Sequence, residues 1–487
     1  MTSFTLAAPL HALPDPLPLP APPTHSTGAR FTLRPPGSKS LTNRLLLLAA
    51  LADGPSTLHH PLTAADDAER MLTAIQSLGA KVTRAPNAVT ITGVAGLWKP
   101  QTTPAELHLE NAGTATRFLT AAALLAPGPL TIDGNKRMRE RPIAQLGEAL
   151  RTLGAHVAYL NATDCPPIQI TPPTDLAQLA PTLDLPTTAS SQYISALMLI
   201  APWLPNGLTL RIQGQVTSAP YIHMTADLLG QVGATVHTSE SLNTIKVAPG
   251  CDPDTPLTTT ADRPKLGLPA FDITVEPDAS GATYFWAAAA LQPGVTVRVS
   301  GLSTRSLQGD ARFPDALERM GAKVRRSEPT KPTDETWIEV TGPEQLRPVD
   351  LDLADMPDAA MTLAACCAFA TGPSTLRGLH TLRVKETDRI AALVNELNKL
   401  PGVTVENPAD ADQDAIRITP APEPKPTQTS GADPVAFDTY DDHRMAMSMA
   451  LIALRRTNVR INDPACVAKT YPTFWTDFAK LYEPTSE

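Results

Sequence analysis

Five times along this chain a helical apolar stripe runs into a glycine and then into an alternating strand. The tails read "IQSLGAKVTR", "LRTLGAHVAY", "GQVGATVHTS", "LERMGAKVRR" and "NKLPGVTVEN". In the second, Ile143, Leu146, Leu150 and Leu153 step by three and four; in the fifth, Ile390, Leu393, Leu397 and Leu400 do the same. That is the spacing of one helix face. Glycine suits the left-handed position that closes a helix, and the alternation after it reads as a strand. "LIALRRTNVRI" reads as a sixth, glycine-free copy. Self-similarity of this kind means stacked supersecondary units.

A second helix series interleaves with the first: "SLTNRLLLLAALADG", "AGTATRFLTAAALLAPG", "SSQYISALMLIAPWLPNG", "ASGATYFWAAAALQPG" and "PDAAMTLAACCAFATG". These helices are apolar nearly all round and so should be buried. Each precedes a short strand. The unit is therefore strand, buried helix, strand, amphipathic helix, strand, strand. Copies lie roughly 75 to 90 residues apart, so about six fit. Three per domain gives two similar α/β domains, with the boundary after the third. The stretches 251–270 and 420–434 read as exposed insertions, and the proline-dense segment 9–29 as extended or disordered.

Each buried helix opens on small or polar residues. Ser40 opens the first, "NAGTATR" the second, Ser190, Ser191 and Gln192 the third, "PDASGA" the fourth and "MPDAAM" the fifth. A helix N-terminus offers free N–H groups and a positive dipole end to anions. One such start is an ordinary cap; five in register suggest a common anion cleft. The first lies in "PPGSKSLTNR", which does not fit the nucleotide loop G-x-x-x-x-G-K-[ST]. Basic runs stand beside these starts: "NKRMRER", "RVKETDR", "DDHRMAM" and "AKTYP". Yet the net charge is -9. A local cationic cleft on an acidic chain points to small anionic substrates and away from nucleic acid. Asp358 at a helix start, and Glu386 between Lys385 and Arg389, supply acid–base groups beside the cations. The cysteines are scattered and no C-x-x-C pair occurs, so no metal is expected. No apolar run is long enough to span a bilayer, and no signal-peptide pattern opens the chain; a cytoplasmic enzyme is the default expectation. Residue chemistry thus reaches a two-domain enzyme acting on small phosphorylated or carboxylated anions.

Together "PGSKSLTNR", "NAGTATR", "RMRERPI", "SSQY", "QGDARF", "PDAAMT", "RVKETDR", "DDHRMAM" and "AKTYPTFW" resemble, in order, the 3-phosphoshikimate 1-carboxyvinyltransferases of the enolpyruvyl transferase family. The resemblance implies two inverse α/β-barrel-like domains, each of three βαβαββ repeats. A Pro-rich extension would cover 1–28. One domain would comprise 37–275, on the shikimate 3-phosphate side. The other would comprise 29–36 and 276–487, on the phosphoenolpyruvate side, with the active site in the cleft between them. It implies transfer of the enolpyruvyl group of phosphoenolpyruvate to the 5-hydroxyl of shikimate 3-phosphate, by addition and elimination. Carried over by motif, Lys39, Asp358 and Glu386 would be catalytic. Lys39, Asn111, Gly113, Arg117, Arg141, Arg389, Arg444 and Lys469 would hold phosphoenolpyruvate. Ser40, Arg44, Ser190, Ser191, Gln192, Ser218, Tyr221, Asp358 and Lys385 would hold shikimate 3-phosphate. No cofactor, nucleic acid or membrane is implied, and the family expectation is a monomer whose domain closure excludes water.

Two positions depart from the family pattern. Thr381 stands where an asparagine is common, and Phe118 where proline is common, which could reshape the phosphoenolpyruvate pocket. The nearest rival is UDP-N-acetylglucosamine 1-carboxyvinyltransferase, which relies on a loop cysteine; here only Cys165 lies in a comparable stretch, between two strands. The "KETDR" and "DHRMAM" motifs favour the shikimate enzyme. A silent binding module is a further alternative, opposed by the intact Lys39, Asp358, Glu386 and Arg444.

Overall fold

The computed structural model describes residues 5–483 apart from 27, 162, 187–189, 215, 217, 251–265, 329–330, 332–333, 409–413 and 423–432. Most of both expected insertions, 251–270 and 420–434, and Cys251 lie outside the described residues. The chain divides into two compact units: Gly37–Val275, and Met1–Pro36 with Glu276–Glu487.

Each unit is built on three buried inner helices that pack against one another. In Gly37–Val275 these are Lys39–Leu51, Gly113–Ala122 and Ser191–Ile200. In the other unit they are Ala279–Ala290, Ala360–Cys367 and His443–Ala450. Their leucine- and alanine-rich sequences bury every side, as expected of helices apolar all round. The amphipathic helices, such as Asp66–Ser77 and Arg389–Leu397, bury one stripe only. Gly79, Gly154, Gly233, Gly321 and Gly402 close the glycine-ended helices at φ between 78° and 105°, where a side chain would be strained.

A small sheet accompanies each inner helix. In the second repeat Ala105–His108 pairs parallel with Leu130–Asp133; that strand pairs antiparallel with Ile168–Thr171, which pairs antiparallel with His156–Tyr159. A parallel pair needs a crossover connection, and the inner helix is that crossover. Four further sheets keep this order. In two of them the first strand comes from a distant part of the chain. Arg30–Leu33 precedes the first inner helix yet pairs with Thr296–Ser300. Asp272–Thr274 precedes the fourth, yet pairs with Pro55–His59.

Among the described residues the sixth repeat has no return hairpin. Val435–Phe437 and Val459–Ile461 pair in parallel, and Leu17–Pro18 pairs antiparallel with the latter, in register Leu17↔Ile461. Thus the N-terminal segment, expected as an extension, takes the place of the missing strand. Its Leu6, Leu17 and Leu19 enter the core. Asp463 N donates to Asp15 Oδ1 at 2.9 Å, and Leu10–Ala12 packs on the turn Pro464–Lys469. A second correction concerns "LIALRRTNVRI". Leu451–Leu454 is a 3-10 continuation of the sixth inner helix, not another amphipathic helix, and Asn458 at φ 58° takes the turn where the other repeats use glycine. No described helix is long and apolar enough to cross a membrane.

Candidate active site

In Gly37–Val275 the expected residues gather at the starts of the three inner helices. Ser38 caps the first, accepting from Leu41 N. Gly37 is fixed by packing: a Cβ there would meet the His60 carbonyl oxygen at 2.1 Å. Lys39 Nζ lies 3.4 Å from the buried Asp67 Oδ2. Ser40 lends its carbonyl to Arg44 Nη1 at 2.9 Å. The rest of the Arg44 guanidinium braces neighbouring helices, donating from Nε to Thr225 Oγ1 at 2.8 Å and from Nη2 to Ser195 Oγ at 3.1 Å. It also donates to the Tyr221 carbonyl at 3.4 Å. Burial pushes this guanidinium down to about 10. Phe118 is fully buried with Arg44 over its ring at 5.2 Å. The unusual phenylalanine therefore supports the brace, a cation–π contact in a desolvated place.

The second start centres on Arg141. Its Nη1 donates to Asn111 Oδ1 at 3.0 Å, and a Cβ on Gly113 would meet Nη2 at 2.7 Å and Nη1 at 2.8 Å. Glycine at 113 is thus the space in which Arg141 lies. Arg117 is turned inward, donating to the Gly113 and Pro142 carbonyls at 3.3 and 3.0 Å. At the third start, Ser190 caps by accepting from Gln192 N, and Gln192 Nε2 reaches Thr114 Oγ1 at 3.4 Å, linking the second and third helix starts. Ser191 is buried there. Ser218 stands at the N-cap position of the helix Ala219–Gln231 in a left-handed conformation at φ 54°, without a side-chain cap bond, and the Tyr221 carbonyl in that helix's first turn accepts from Arg44.

In the other unit, four cations and three carboxylates form one network. Asp358, in the turn Pro357–Ala359 that opens the fifth inner helix, receives Arg389 Nη1 at 2.8 Å and Lys385 Nζ at 3.4 Å on Oδ1. Arg444 Nη2 lies 3.3 Å from its Oδ2. Glu386 takes Arg389 Nη2 at 3.0 Å and Lys469 Nζ at 3.1 Å. The third carboxylate is Asp442. It caps the sixth inner helix, accepting from Arg444 N, and grips Arg389 twice, Nε at 2.7 Å and Nη2 at 3.2 Å. Arg389 is 1% exposed; burial alone would weaken its protonation, but Asp442, Glu386 and Asp358 outweigh that and raise it. It is the hub that holds both acid–base candidates. Lys385 is shifted down, by burial first, against the pull of Asp358. Thr381 is buried nearby on the turn His380–Val384, and its Oγ1 meets no partner among the described residues.

Sequence reasoning passed over three carboxylates. Asp442 and Asp310 sit inside quoted motifs, "DDHRMAM" and "QGDARF", yet drew no role. Asp310 is buried, bonded to Ser280 Oγ, and pushed up to about 6 by burial and the nearby Asp358 charge. Asp67, on the first amphipathic helix, has no local signal at all.

The profile of the EPSP synthase (3-phosphoshikimate 1-carboxyvinyltransferase) family matches residues 25–478. A 3-phosphoshikimate 1-carboxyvinyltransferase of Laribacter hongkongensis is 44% identical over 458 residues, spanning 93% of this chain and 97% of the relative. One from Thiobacillus denitrificans is 42% identical over 456 residues, with the same coverage. Among solved structures, an EPSP synthase from Acinetobacter baumannii superposes with a TM-score of 0.72 at 24% identity, over 94% of this chain and 97% of that one. The enolpyruvyl transferase NikO from Streptomyces tendae gives 0.65 at 19%, over 95% and 98%; at such identities these two speak for the fold. With the family profile covering almost the whole chain and relatives above 40% identity at full length, the chain belongs to the EPSP synthase (3-phosphoshikimate 1-carboxyvinyltransferase) family.

Proposed function

We propose that this chain transfers the enolpyruvyl group of phosphoenolpyruvate to the 5-hydroxyl of shikimate 3-phosphate, releasing inorganic phosphate. This is a step toward chorismate and the aromatic amino acids. The observation that carries the reading is the Asp358–Glu386–Arg389 network, inside a chain of this family. In addition, the 5-oxygen bonds to C2 of phosphoenolpyruvate while Asp358 takes the hydroxyl proton and a proton is delivered to C3. In elimination, the C2–O bond to phosphate breaks and a C3 proton leaves, restoring the double bond. Lys39 and Glu386 serve C3. Arg444 and Lys469, which now lie on carboxylates, turn to the phosphoenolpyruvate anion with Arg141, Asn111 and Gly113. Arg389 contributes charge from behind them, and Arg117 holds the Gly113 turn. Ser190, Ser191, Gln192, Ser218, Tyr221, Ser40 and Lys385 take shikimate 3-phosphate, with Arg44 as the brace under them. Lys385, weakened in its protonation by burial, gains a counter-charge when a phosphate arrives.

The rival enzyme's cysteine chemistry finds no support at Cys165, whose thiol is pushed up by burial and by Asp164, the reverse of an activated thiolate. The test is phosphate release from phosphoenolpyruvate and shikimate 3-phosphate by the purified protein. Release with UDP-N-acetylglucosamine instead would overturn the reading. Asp358→Ala should lower kcat about a hundredfold or more, while phosphoenolpyruvate affinity changes far less; unchanged kcat would remove Asp358 from the mechanism.

A further inference from the structure

The proline-dense N-terminal segment does more than complete a sheet. Residues 21–25 form one wall of a cavity of about 960 Å³, the upper size range of small-molecule sites. The other walls come from the end of the fourth inner helix at Leu291–Val295, from Leu346, from Phe369 and from Leu454–Thr457. None of the residues assigned above to substrates lines it.

The lining mixes apolar side chains, among them Leu291, Leu346 and Phe369, with polar ones, and three of the polar side chains stand out. Arg455 lies over the Phe369 ring, 5.5 Å from its centroid, and donates from Nη1 to the Leu291 carbonyl at 2.9 Å. Among the described residues no carboxylate comes within ion-pair distance of it, and burial lowers its pKa with no charge opposing. A half-buried guanidinium without a counter-ion, on a chain of net charge -9, is an unmet electrostatic demand. Gln292 is 6% exposed and donates to the Ala288 carbonyl, but its Oε1 meets no hydrogen-bond partner among the described residues. The same holds for Nε2 of His25, although the His25 and Gln292 side chains interact with one another, so one lone pair of Gln292 Oε1 faces His25 and the other is open. Buried polar atoms of this kind are normally satisfied. Glu344 also lines the cavity, but it is exposed to solvent, where its repulsion of an anion is screened.

We infer that this cavity is a second ligand site, for a small organic carboxylate with an apolar ring or chain and a hydroxyl. The carboxylate would pair with Arg455, the apolar body would lie against Phe369 and the proline-rich wall, and the hydroxyl would donate to Gln292 Oε1. A bare inorganic anion lacks the body, and a neutral apolar molecule lacks the charge.

The probe is 4-hydroxyphenylacetate, titrated into the full-length protein by calorimetry at physiological salt, with shikimate 3-phosphate and inorganic phosphate saturating the substrate site. Saturable one-to-one binding is expected. It should weaken about tenfold, one charge-assisted contact, for 4-ethylphenol, which lacks the carboxylate, and for Arg455→Met. Arg455→Lys should restore most of it. Inorganic phosphate alone should not compete. Thr371→Trp, at the exposed rim, should abolish binding while leaving the enolpyruvyl transfer rate unchanged; it serves also if Arg455→Met folds poorly. Absence of saturable binding, equal binding by Thr371→Trp, or displacement by the substrate-site ligands would each overturn the assignment.

Discussion

A single buried arginine, Arg389, shows how this site is organised. Asp442 grips it bidentately from behind, and its remaining N–H groups present Asp358 and Glu386. The cations proposed to meet substrate were legible in the sequence because they stand in ordered motifs. Their partners were not, because Asp67, Asp310 and Asp442 are chosen by long-range packing that no local pattern records. Asp310 carries a pH consequence. Its folded pKa, about 6, is above the ordinary aspartate value of 3.8, so the native state binds its proton more tightly than the unfolded chain does. Stability is therefore present in acid and lost as pH rises from about 4 to 6, by up to about 3 kcal/mol. Asp310→Asn keeps an acceptor for Ser280 and removes the ionisation. Its melting temperature should exceed wild type by a few degrees at pH 8 and match it at pH 4; equal melting at both would remove the buried charge from the argument. Gly113 makes a second case. Gly113→Ala pushes a methyl into the Arg141 guanidinium, which can swing away at little cost in stability. The KM for phosphoenolpyruvate should rise about tenfold, the loss of one charged hydrogen bond, with kcat and melting temperature nearly unchanged. An unchanged KM would show that Arg141 does not meet that substrate.

At the scale of elements, the repeat was readable wherever a period and a glycine coincided. The stripe through Ile143 and Leu153, closed by Gly154, is one of five such cases. It failed at the sixth repeat for a physical reason. That repeat has no hairpin of its own among the described residues, and its third strand, Leu17–Pro18, lies more than four hundred residues away in sequence. Proline density masked it too, since Pro18 cannot donate to a ladder and proline is tolerated only at a sheet edge. Leu17 is wholly buried, so Leu17→Asp should detach the strand and cost about 2–4 kcal/mol, read as a lower denaturant midpoint. Because Leu10–Ala12 packs on the turn that ends at Lys469, the same change should raise the KM for phosphoenolpyruvate. A stable variant with unaltered kinetics would make the segment a mere appendage.

For the whole molecule, the two exchanged strands decide which pieces can stand alone. Every strand paired in Gly37–Val275 comes from that interval, including Asp272–Thr274. Residues 37–275 should therefore melt cooperatively when expressed alone. Residues 276–487 lack both Arg30–Leu33 and Leu17–Pro18 and should not. Joining residue 36 directly to 276 should restore folding, since Asp278 N already donates to the Pro36 carbonyl at 2.8 Å. A cooperative melt of 276–487 by itself, seen by circular dichroism, would refute this. The same exchange sets a timetable for the chain as it leaves the ribosome. Leu17–Pro18 emerges well before its partner Val459–Ile461, which is made some 440 residues later, on the order of 20–90 s at ordinary rates of synthesis. Through that interval the whole intervening unit can form, while the leading segment has nothing to pair with. A naked β-edge held open so long invites pairing with a neighbouring nascent chain. Seven prolines between residues 9 and 23 remove the N–H groups such pairing needs, so the leader waits as a poor template until its own partner arrives.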